Sequence, residues 1–397
     1  MKKSVVLAFS GGLDTSYCAM YLTKELGYKV TAVTVNTGGF TSSDKKNLEK
    51  KARSLGVGEY HFIDDTETYY DRGVRYLLFA NVLKNNTYPL SVSAERVFQA
   101  STIARFAKKI DADAIAHGST GAGNDQIRFD MIFQSICPNA EIITPIRDQS
   151  LSRSAEVDYL IENGVQEDWK ASVYSINQGL WGTSVGGKET LTSDTPLPEE
   201  AYPSQLRKRE EKEIEIVFEK GEPVKLNDKA DKPYHIIERL NLLGGEYAIG
   251  RDVHVGDTII GIKGRVGFEA PAAAILIKAH HTLEKHVLSR YQLVLKEQFS
   301  SWYGNLMHEG NFLDPAMRDM EAFLESSQEF VSGTVKVKLK PYTFDIQGIT
   351  SRFDLMQSTV AHYGETNKGW SAEDVRGFGK IYANQMKIYH SIHQNEL

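Results

Sequence analysis

The stretch Val5-Val6-Leu7-Ala8-Phe9-Ser10-Gly11-Gly12-Leu13-Asp14-Thr15-Ser16 constrains this chain more than any other. Its apolar start reads as a strand buried on both faces, as strands of a parallel sheet are. Ser10 to Asp14 form a tight turn, and a helical pattern follows from Thr15. Two glycines allow the backbone to bend and to approach an anion closely. The N–H groups of the turn and of the new helix face that anion, and the helix dipole favours negative charge there. Ser10, Thr15 and Ser16 add hydroxyls. There is no lysine and no GxxxxGK[ST] spacing, so the loop is a phosphate cradle of a type other than the Walker loop. A plain glycine-rich strand–helix turn would look similar locally; the strand before and the helix after favour the cradle.

The rest of the first part repeats the alternation. Cys18 to Leu26 is spaced for a helix that Gly27 ends. Val30 to Val35 reads as a strand, Asp44 to Leu55 as a helix, Tyr60 to Ile63 as a strand and Thr66 to Lys84 as a helix. Ser91 to Lys109 leads into another helix, and Ala114 to His117 and Glu141 to Thr144 are further strands. Ser154 to Asn163 is a helix ended by Gly164. This rhythm predicts an α/β fold with a doubly wound parallel sheet. Ligands of such sheets bind outside the carboxyl ends of the strands. Beyond it the texture changes. Glu213 to Phe218 and Pro223 to Leu226 read as a hairpin, Ile236 to Leu243 and Thr282 to Phe299 as helices, and Gly333 to Leu339 as an alternating strand. The expected organisation is 1–165, a nucleotide-binding domain; 166–371, an α+β substrate domain; and 372–397, a polar amphipathic helix that docks on another subunit.

With 397 residues the chain is long enough for two domains. A net charge of −6 offers no electrostatic footprint for a nucleic acid. Two cysteines, Cys18 and Cys137, cannot make a disulfide framework, and a reducing cytoplasm is the simplest compartment. No stretch is long and apolar enough to span a membrane. The run after Met1-Lys2-Lys3 turns into the glycine loop at Phe9 and is therefore no signal peptide.

Two further segments carry chemistry. His117 to Phe129 places three glycines after a buried strand, at the same sheet edge as the first loop. Thr120, Asn124, Asp125 and Arg128 suit a zwitterionic amino acid, whose carboxylate wants Arg or N–H and whose ammonium wants Asp or Asn. A satisfied Asp–Arg pair in a solvated loop is the bland alternative. In Tyr88 to Arg96, Tyr88, Ser93 and Arg96 can line a polar cleft; Ser93 can equally be a helix N-cap.

The Ser-Gly-Gly-x-Asp-[Ser/Thr] loop is similar to that of N-type ATP pyrophosphatases, which split ATP into AMP and pyrophosphate. With all three segments the chain resembles the argininosuccinate synthase family. The family's Ala-Tyr-Ser-Gly-Gly-Leu-Asp-Thr-Ser matches Ala8 to Ser16, its His-Gly-x-Thr-Gly-x-Gly-Asn-Asp-Gln-x-Arg-Phe matches His117 to Phe129, and its Tyr-x-x-x-x-Ser-x-x-Arg matches Tyr88, Ser93 and Arg96. Phe218 to Val224 and Ala248 to Arg251 resemble second-domain elements, while the likeness weakens between Arg147 and Ser204. The resemblance implies a homotetramer that ligates citrulline and aspartate through citrullyl-AMP. It implies that Ala8, Phe9, Ser10, Gly11, Gly12, Leu13, Asp14, Thr15, Ser16, Val35 and Gly118 contact ATP. Thr120, Asn124 and Asp125 hold aspartate; Tyr88, Ser93, Arg96, Asn124, Arg128 and Ser184 hold or line the citrulline site. Mg²⁺ arrives on the ATP phosphates, with Asp14 as its candidate protein ligand.

The chain departs from the family at two places. Where the family has Val-Glu-Asn-Arg this chain has Val255-Gly256-Asp257-Thr258, and where it has Gly-x-Tyr-Glu-Thr-Pro this chain has Gly267-Phe268-Glu269-Ala270-Pro271. A lost carboxylate and a lost hydroxyl leave an α-ammonium unpartnered and open volume. That suits an N-acylated citrulline, N-acetyl or N-succinyl. Otherwise Asp257 takes over the ammonium and the substrate is plain citrulline. Other enzymes with this loop fit less well. A glutamine amidotransferase needs an N-terminal Cys where Lys2 stands, and a tRNA-modifying enzyme needs a reactive Cys pair.

Overall fold

The computed structural model describes residues 2–167, 169, 174–361, 363–364 and 368–393. The chain divides into two compact units, Met1–Arg352 and Phe353–Leu397. The first unit opens with β1 (Ser4–Ala8), α1 (Leu13–Lys24), β2 (Lys29–Asn36), α2 (Ser42–Ser54) and β3 (Glu59–Asp64). There follow α3 (Thr66–Tyr69), α4 (Arg75–Phe79), α5 (Ser93–Lys109), β4 (Ala114–Ala116), α6 (Asp125–Ile136), β5 (Glu141–Ile143), α7 (Pro145–Asp148) and α8 (Arg153–Glu162). All five strands pair in parallel in the order β3-β2-β1-β4-β5. The doubly wound sheet read from the sequence is therefore present, with β1 at its centre. Val5 and Leu7 pack with Cys18 and Leu22 of α1 and Leu160 of α8. Alternation turns Val6 to the other face, and α5 packs against β1 and β2. Strand order reverses beside β1, so the loops after β1 and β4 flank the switch point where such sheets bind ligands.

Three helices differ from the sequence reading. The expected Thr66–Lys84 helix is α3 and α4 joined by a π-helical stretch, Tyr70–Val74, and it stops at Phe79. Gly73 lies there against the Phe98 ring, which a Cβ at this position would meet at 2.7 Å. The expected Thr282–Phe299 helix straddles a break between α10 and α11, defined below. Ser289 caps the second helix with Gln292 in a capping box, which the apolar period conceals. The helix expected in 372–397 is also two, separated at Ala383.

The unit continues with β6 (Ser175–Gly179), β7 (Gly182–Gly186), β8 (Lys212–Glu219), β9 (Glu222–Leu226), β10 (Lys229–Ala230), α9 (Pro233–Gly245), β11 (Arg251–Asp257) and β12 (Lys263–Glu269). It ends with α10 (Pro271–Val287), α11 (Arg290–Glu309), α12 (Pro315–Ser327), β13 (Gly333–Lys340) and β14 (Thr343–Thr350). The expected hairpin is β8–β9, in which Ile214, Ile216 and Phe218 alternate into the core. Two antiparallel sheets result, β10-β9-β8-β13-β14 and β11-β12-β7-β6. The second matters for function, because it abuts the edge of the parallel sheet. Leu180 N donates to Thr37 O at 2.9 Å, and a Cβ on Gly39 would meet Gln178 O at 2.0 Å. Only glycine allows the loop after β2 to lie this close to the β6–β7 hairpin. The buried Trp181 donates its indole N–H to Pro89 O at 3.0 Å, fixing that hairpin on the segment before α5.

The second unit holds α13 (Ala372–Tyr382) and α14 (Asn384–Ile392). Ser371 and Asp374 cap α13 reciprocally, and Phe378, Ile381, Tyr382, Met386 and Ile388 are exposed.

Truncating Leu7, which is wholly buried at the centre of the parallel sheet, leaves a cavity. Leu7→Ala is expected to lower unfolding free energy by about 2–5 kcal/mol, whereas the exposed Leu242→Ala changes it by less than about 0.5 kcal/mol. Urea titrations of both variants against wild type check the difference.

Candidate active site

The turn after β1 is braced by its own side chains. Gly11 takes φ +76°, and Leu48 of α2 fills the space a Cβ would need there. Ser16 donates to Gly12 O at 2.7 Å, Thr15 to the same carbonyl at 3.3 Å, and Ser10 Oγ lies 3.2 Å from Thr15 Oγ1. Two of the three hydroxyls expected to face an anion therefore hold the loop. The N–H groups of Leu13, Asp14 and Thr15 precede the first helical bond, Ser16 N to Gly12 O, and are the donors this helix start could offer an anion. A lysine from outside the loop braces it. Lys51 of α2 donates to Gly11 O at 2.6 Å, pairs with Glu167 and stands 4.3 Å over the Trp169 ring. Ala8, Phe9 and Val35 are buried beneath the turn.

Asp14 faces Glu156 of α8, which is 2% exposed. Burial, then the Asp14 charge, pushes the Glu156 carboxyl up to about 8. Burial also raises Asp14, against the pull of Glu156 and Arg153. One proton shared by two carboxyls satisfies the pair. Glu156 Oε2 has no hydrogen-bond partner among the described residues, and such a pair has the chemistry to accept a divalent cation in place of the proton. Among the described residues no three His, Cys, Asp or Glu side chains are grouped to hold a metal, so a cation here would need ligands from a substrate.

The loop after β4 lies directly beside the first. A Cβ on Gly118 would meet the Asp14 carbonyl carbon at 3.1 Å. His117 is buried, 2.9 Å from Asp130, which Arg147 bonds from the other side at 2.6 Å. Its Nδ1 accepts from Ser119 N at 3.2 Å, setting the path of the loop. Thr120 is exposed in that loop and Asn124 is half-buried, its Oδ1 accepting from Ile259 N at 2.8 Å. The tip of the β11–β12 hairpin thus closes onto Asn124.

The Asp–Arg pair exists, and it is larger than the sequence indicated. Asp125 accepts from Arg128 at 2.8 Å and from Arg96 at 3.1 Å. Burial opposes its charge, but Arg96 and Arg128 together hold it below the usual carboxylate range. Arg128 also donates to His308 O at 2.8 Å. Arg96 reaches Gln99 at 2.7 Å, Asn177 of β6 at 2.8 Å and Glu95 at 3.2 Å. Asn177 pairs in register with Ser184 of β7, and Ser184 with Phe268 of β12, so the three share one face. Phe268 packs against Tyr88 at 5.4 Å. The structure thereby brings Tyr88, Arg96, Asn124, Asp125, Arg128 and Ser184 to one region. Ser93 joins them one helical turn before Arg96. It is not the N-cap, a position held by Val92, and its buried hydroxyl has no partner among the described residues. A hydroxyl left unpaired at such a place is what a ligand would satisfy.

Sequence reasoning missed Lys51, Glu95, Glu156, Asn177, His254 and His308. Glu95 alone left a trace, a carboxylate inside an otherwise small and apolar helix start. It bonds Thr37 at 3.2 Å and occupies the space of a Cβ on Gly179.

The expected gap at Gly256 is not there. A Cβ on Gly256 would meet His254 Nε2 at 2.6 Å and Asn85 Nδ2 at 3.3 Å, so an imidazole fills the volume thought to be opened. Asp257, the alternative partner for an ammonium, is mostly exposed and pairs with Lys263 at 2.6 Å.

Known proteins bear on this arrangement. Residues 4–166 match the model described as Arginosuccinate synthase N-terminal HUP domain, and residues 174–389 match Arginosuccinate synthase C-terminal domain. The argininosuccinate synthase of Methanocaldococcus jannaschii is 37% identical over 392 residues, covering 98% of each chain. That of Dictyoglomus turgidum is 36% identical over 390 residues, again 98% of each. That of Xanthomonas campestris pv. campestris is 34% identical over 404 aligned positions, 99% of each.

Burial pushes the Glu95 carboxyl up to about 8, although Arg96 opposes this. The native state then holds a proton that the unfolded chain, at the ordinary 4.5, has released. This contribution to stability is complete below pH 4.5 and is lost as pH rises toward 8. Glu95→Gln is expected to flatten the fall in unfolding free energy across that window, as denaturant titrations at stepped pH would show.

Proposed function

The chain belongs to the argininosuccinate synthase family, and on that premise we propose that it ligates citrulline to aspartate, converting ATP to AMP and pyrophosphate in arginine biosynthesis. The observation that supports this best is the meeting of the loops after β1 and β4 with the start of α5, through Gly118 on Asp14 and through Arg96 and Arg128 on Asp125. In the first step the ureido oxygen of citrulline attacks the α-phosphorus and pyrophosphate leaves. In the second the amino group of aspartate attacks the ureido carbon and AMP leaves. Ala8 to Ser16, Val35 and Gly118 contact ATP, the α1 N–H groups taking charge on the leaving pyrophosphate. Thr120, Asn124 and Asp125 hold aspartate. Tyr88, Ser93, Arg96, Asn124, Arg128 and Ser184 hold citrulline, and their fixed network aligns its oxygen with phosphorus.

Mg²⁺ bound to the phosphates, with Asp14 as its protein ligand, would neutralise their charge. The buried Asp14–Glu156 pair fits that requirement. Free citrulline is the substrate in this reading. The relatives are named argininosuccinate synthase, and the filled space at Gly256 removes the volume argument for an N-acyl group. The compartment is the cytoplasm; Cys18 and Cys137 are buried and unpaired. No helix among the described residues is long and apolar enough to cross a membrane.

Product analysis tests the reaction: AMP and pyrophosphate should form only when aspartate and citrulline are both supplied. Asp14→Asn should lower kcat at least about 100-fold with the fold intact, because an amide cannot supply the same charge. Retained citrulline-dependent ATP–pyrophosphate exchange in that variant would show the role is wrong.

The assembly in this reading is a homotetramer with the C-terminal helices in its interface. The exposed apolar side chains of α13 and α14 support this. Deleting 372–397 is expected to reduce the mass measured by light scattering, and an unchanged tetramer would remove that role.

A further inference from the structure

His254 and Gly256 lie two apart on β11 and share a face of the strand. The imidazole is 5% exposed and stacks on Tyr88, with centroids 5.1 Å apart and planes at 25°. Its Nδ1 is shut off from solvent and has no hydrogen-bond partner among the described residues. Buried polar atoms are nearly always bonded, so an unpaired one against the ring of a substrate residue marks a place where a ligand completes the bonding.

The charges around it define the ligand group. Lys84 acts on His254, and Lys84, Arg128 and His254 all act on His308. Burial, then Lys84, pushes the His254 pKa down, so the ring is neutral and carries one N–H. The nearby acids are engaged elsewhere: Asp125 with two arginines and Asp257 with Lys263. Glu309 and Asp257 act on Lys84 and Asp125 acts on His308, while Lys84 is the charge that acts on His254 itself. The uncompensated field at His254 is therefore positive, which suits an anion and disfavours an ammonium.

We propose that His254 reads the carboxylate of the ureido amino acid, donating from Nδ1 to a carboxylate oxygen while Lys84 supplies charge behind it. This rests on the proposed ligation and names a specificity-determining residue for it. His254 makes no bond to the reacting atoms; its action is on substrate binding.

The test compares citrulline with 4-ureidobutylamine, which lacks the carboxylate, and with 5-ureidopentanoate, which lacks the amino group. His254→Phe keeps the ring on Tyr88 and removes both nitrogens. It should raise KM for citrulline at least about 10-fold with kcat nearly kept. KM for ATP and aspartate should not move. The preference for citrulline over 4-ureidobutylamine should shrink by the same factor, and that over 5-ureidopentanoate should persist. His254→Asn, whose amide nitrogen stands near the Nδ1 position, should restore the preference, and His254→Gln should not. That Asn/Gln contrast carries the test should the Phe variant not fold. An unchanged preference over 4-ureidobutylamine, or a change seen only with 5-ureidopentanoate, overturns the proposal. Calorimetric binding of citrulline and the two analogues applies the same criteria without turnover, so a wild type that made no AMP would sink the ligation reading while leaving this role open to the binding result.

Discussion

A single carboxylate, Asp125, sits between two guanidinium groups, and the site is assembled around that charge balance. Arg96 comes from α5, Arg128 from α6, and each carries its own further ties, Arg96 to Asn177 on β6 and Arg128 to the end of α11. Four elements distant in sequence are therefore fixed by one anion. Taking such charges out of water is costly, and a buried pair seldom adds net stability. Its use here is positional: removing Asp125 would leave two buried cations facing each other, so the arrangement has one stable geometry. The half-exposed carboxylate keeps a face toward the cleft where the amino-acid substrates are proposed to bind.

The parallel sheet supplies the second constraint. β1 lies at its centre, and the loops after β1 and β4 leave the same edge side by side, close enough that Gly118 touches the backbone of Asp14. The loops proposed to hold the nucleotide and the amino acids are thus neighbours by topology. The antiparallel sheet closes the region from the other side, because glycines at 38 and 39 let its β6–β7 hairpin approach the end of β2. Within this enclosure some buried polar atoms have no partner among the described residues, Ser93 Oγ and His254 Nδ1 being two. The fold thus provides donors before any substrate arrives, which is how preorganised sites limit the cost of binding.

Much of this was legible in the sequence, for physical reasons. The apolar runs of β1, β2 and β4 and the glycines behind them announce a parallel sheet with loops at one edge, and the family motifs lie on those loops. The alternation of Ile214, Ile216 and Phe218 announces a hairpin. What the sequence concealed depends on partners far along the chain. β6, β7, β11 and β12 are short and rich in glycine, serine and charged residues, so their period is weak. Glu95 and Asn177 meet only through Arg96, and Lys51 reaches Gly11 across forty residues of chain. At Gly256 the missing side chain suggested space, yet His254 of the same strand fills it; only coordinates show which neighbour has moved in. The breaks at Ser289 and Ala383 hide inside continuous apolar periods, since a cap changes one residue and not the pattern.

This edge of the sheet is proposed to align the ureido oxygen of citrulline with the α-phosphorus of ATP. Citrulline carrying ¹⁸O in its ureido group tests that directly, with the AMP product analysed by mass spectrometry. The account predicts one ¹⁸O in the phosphate of each AMP formed. AMP formed together with the ligated product but carrying no label would contradict it.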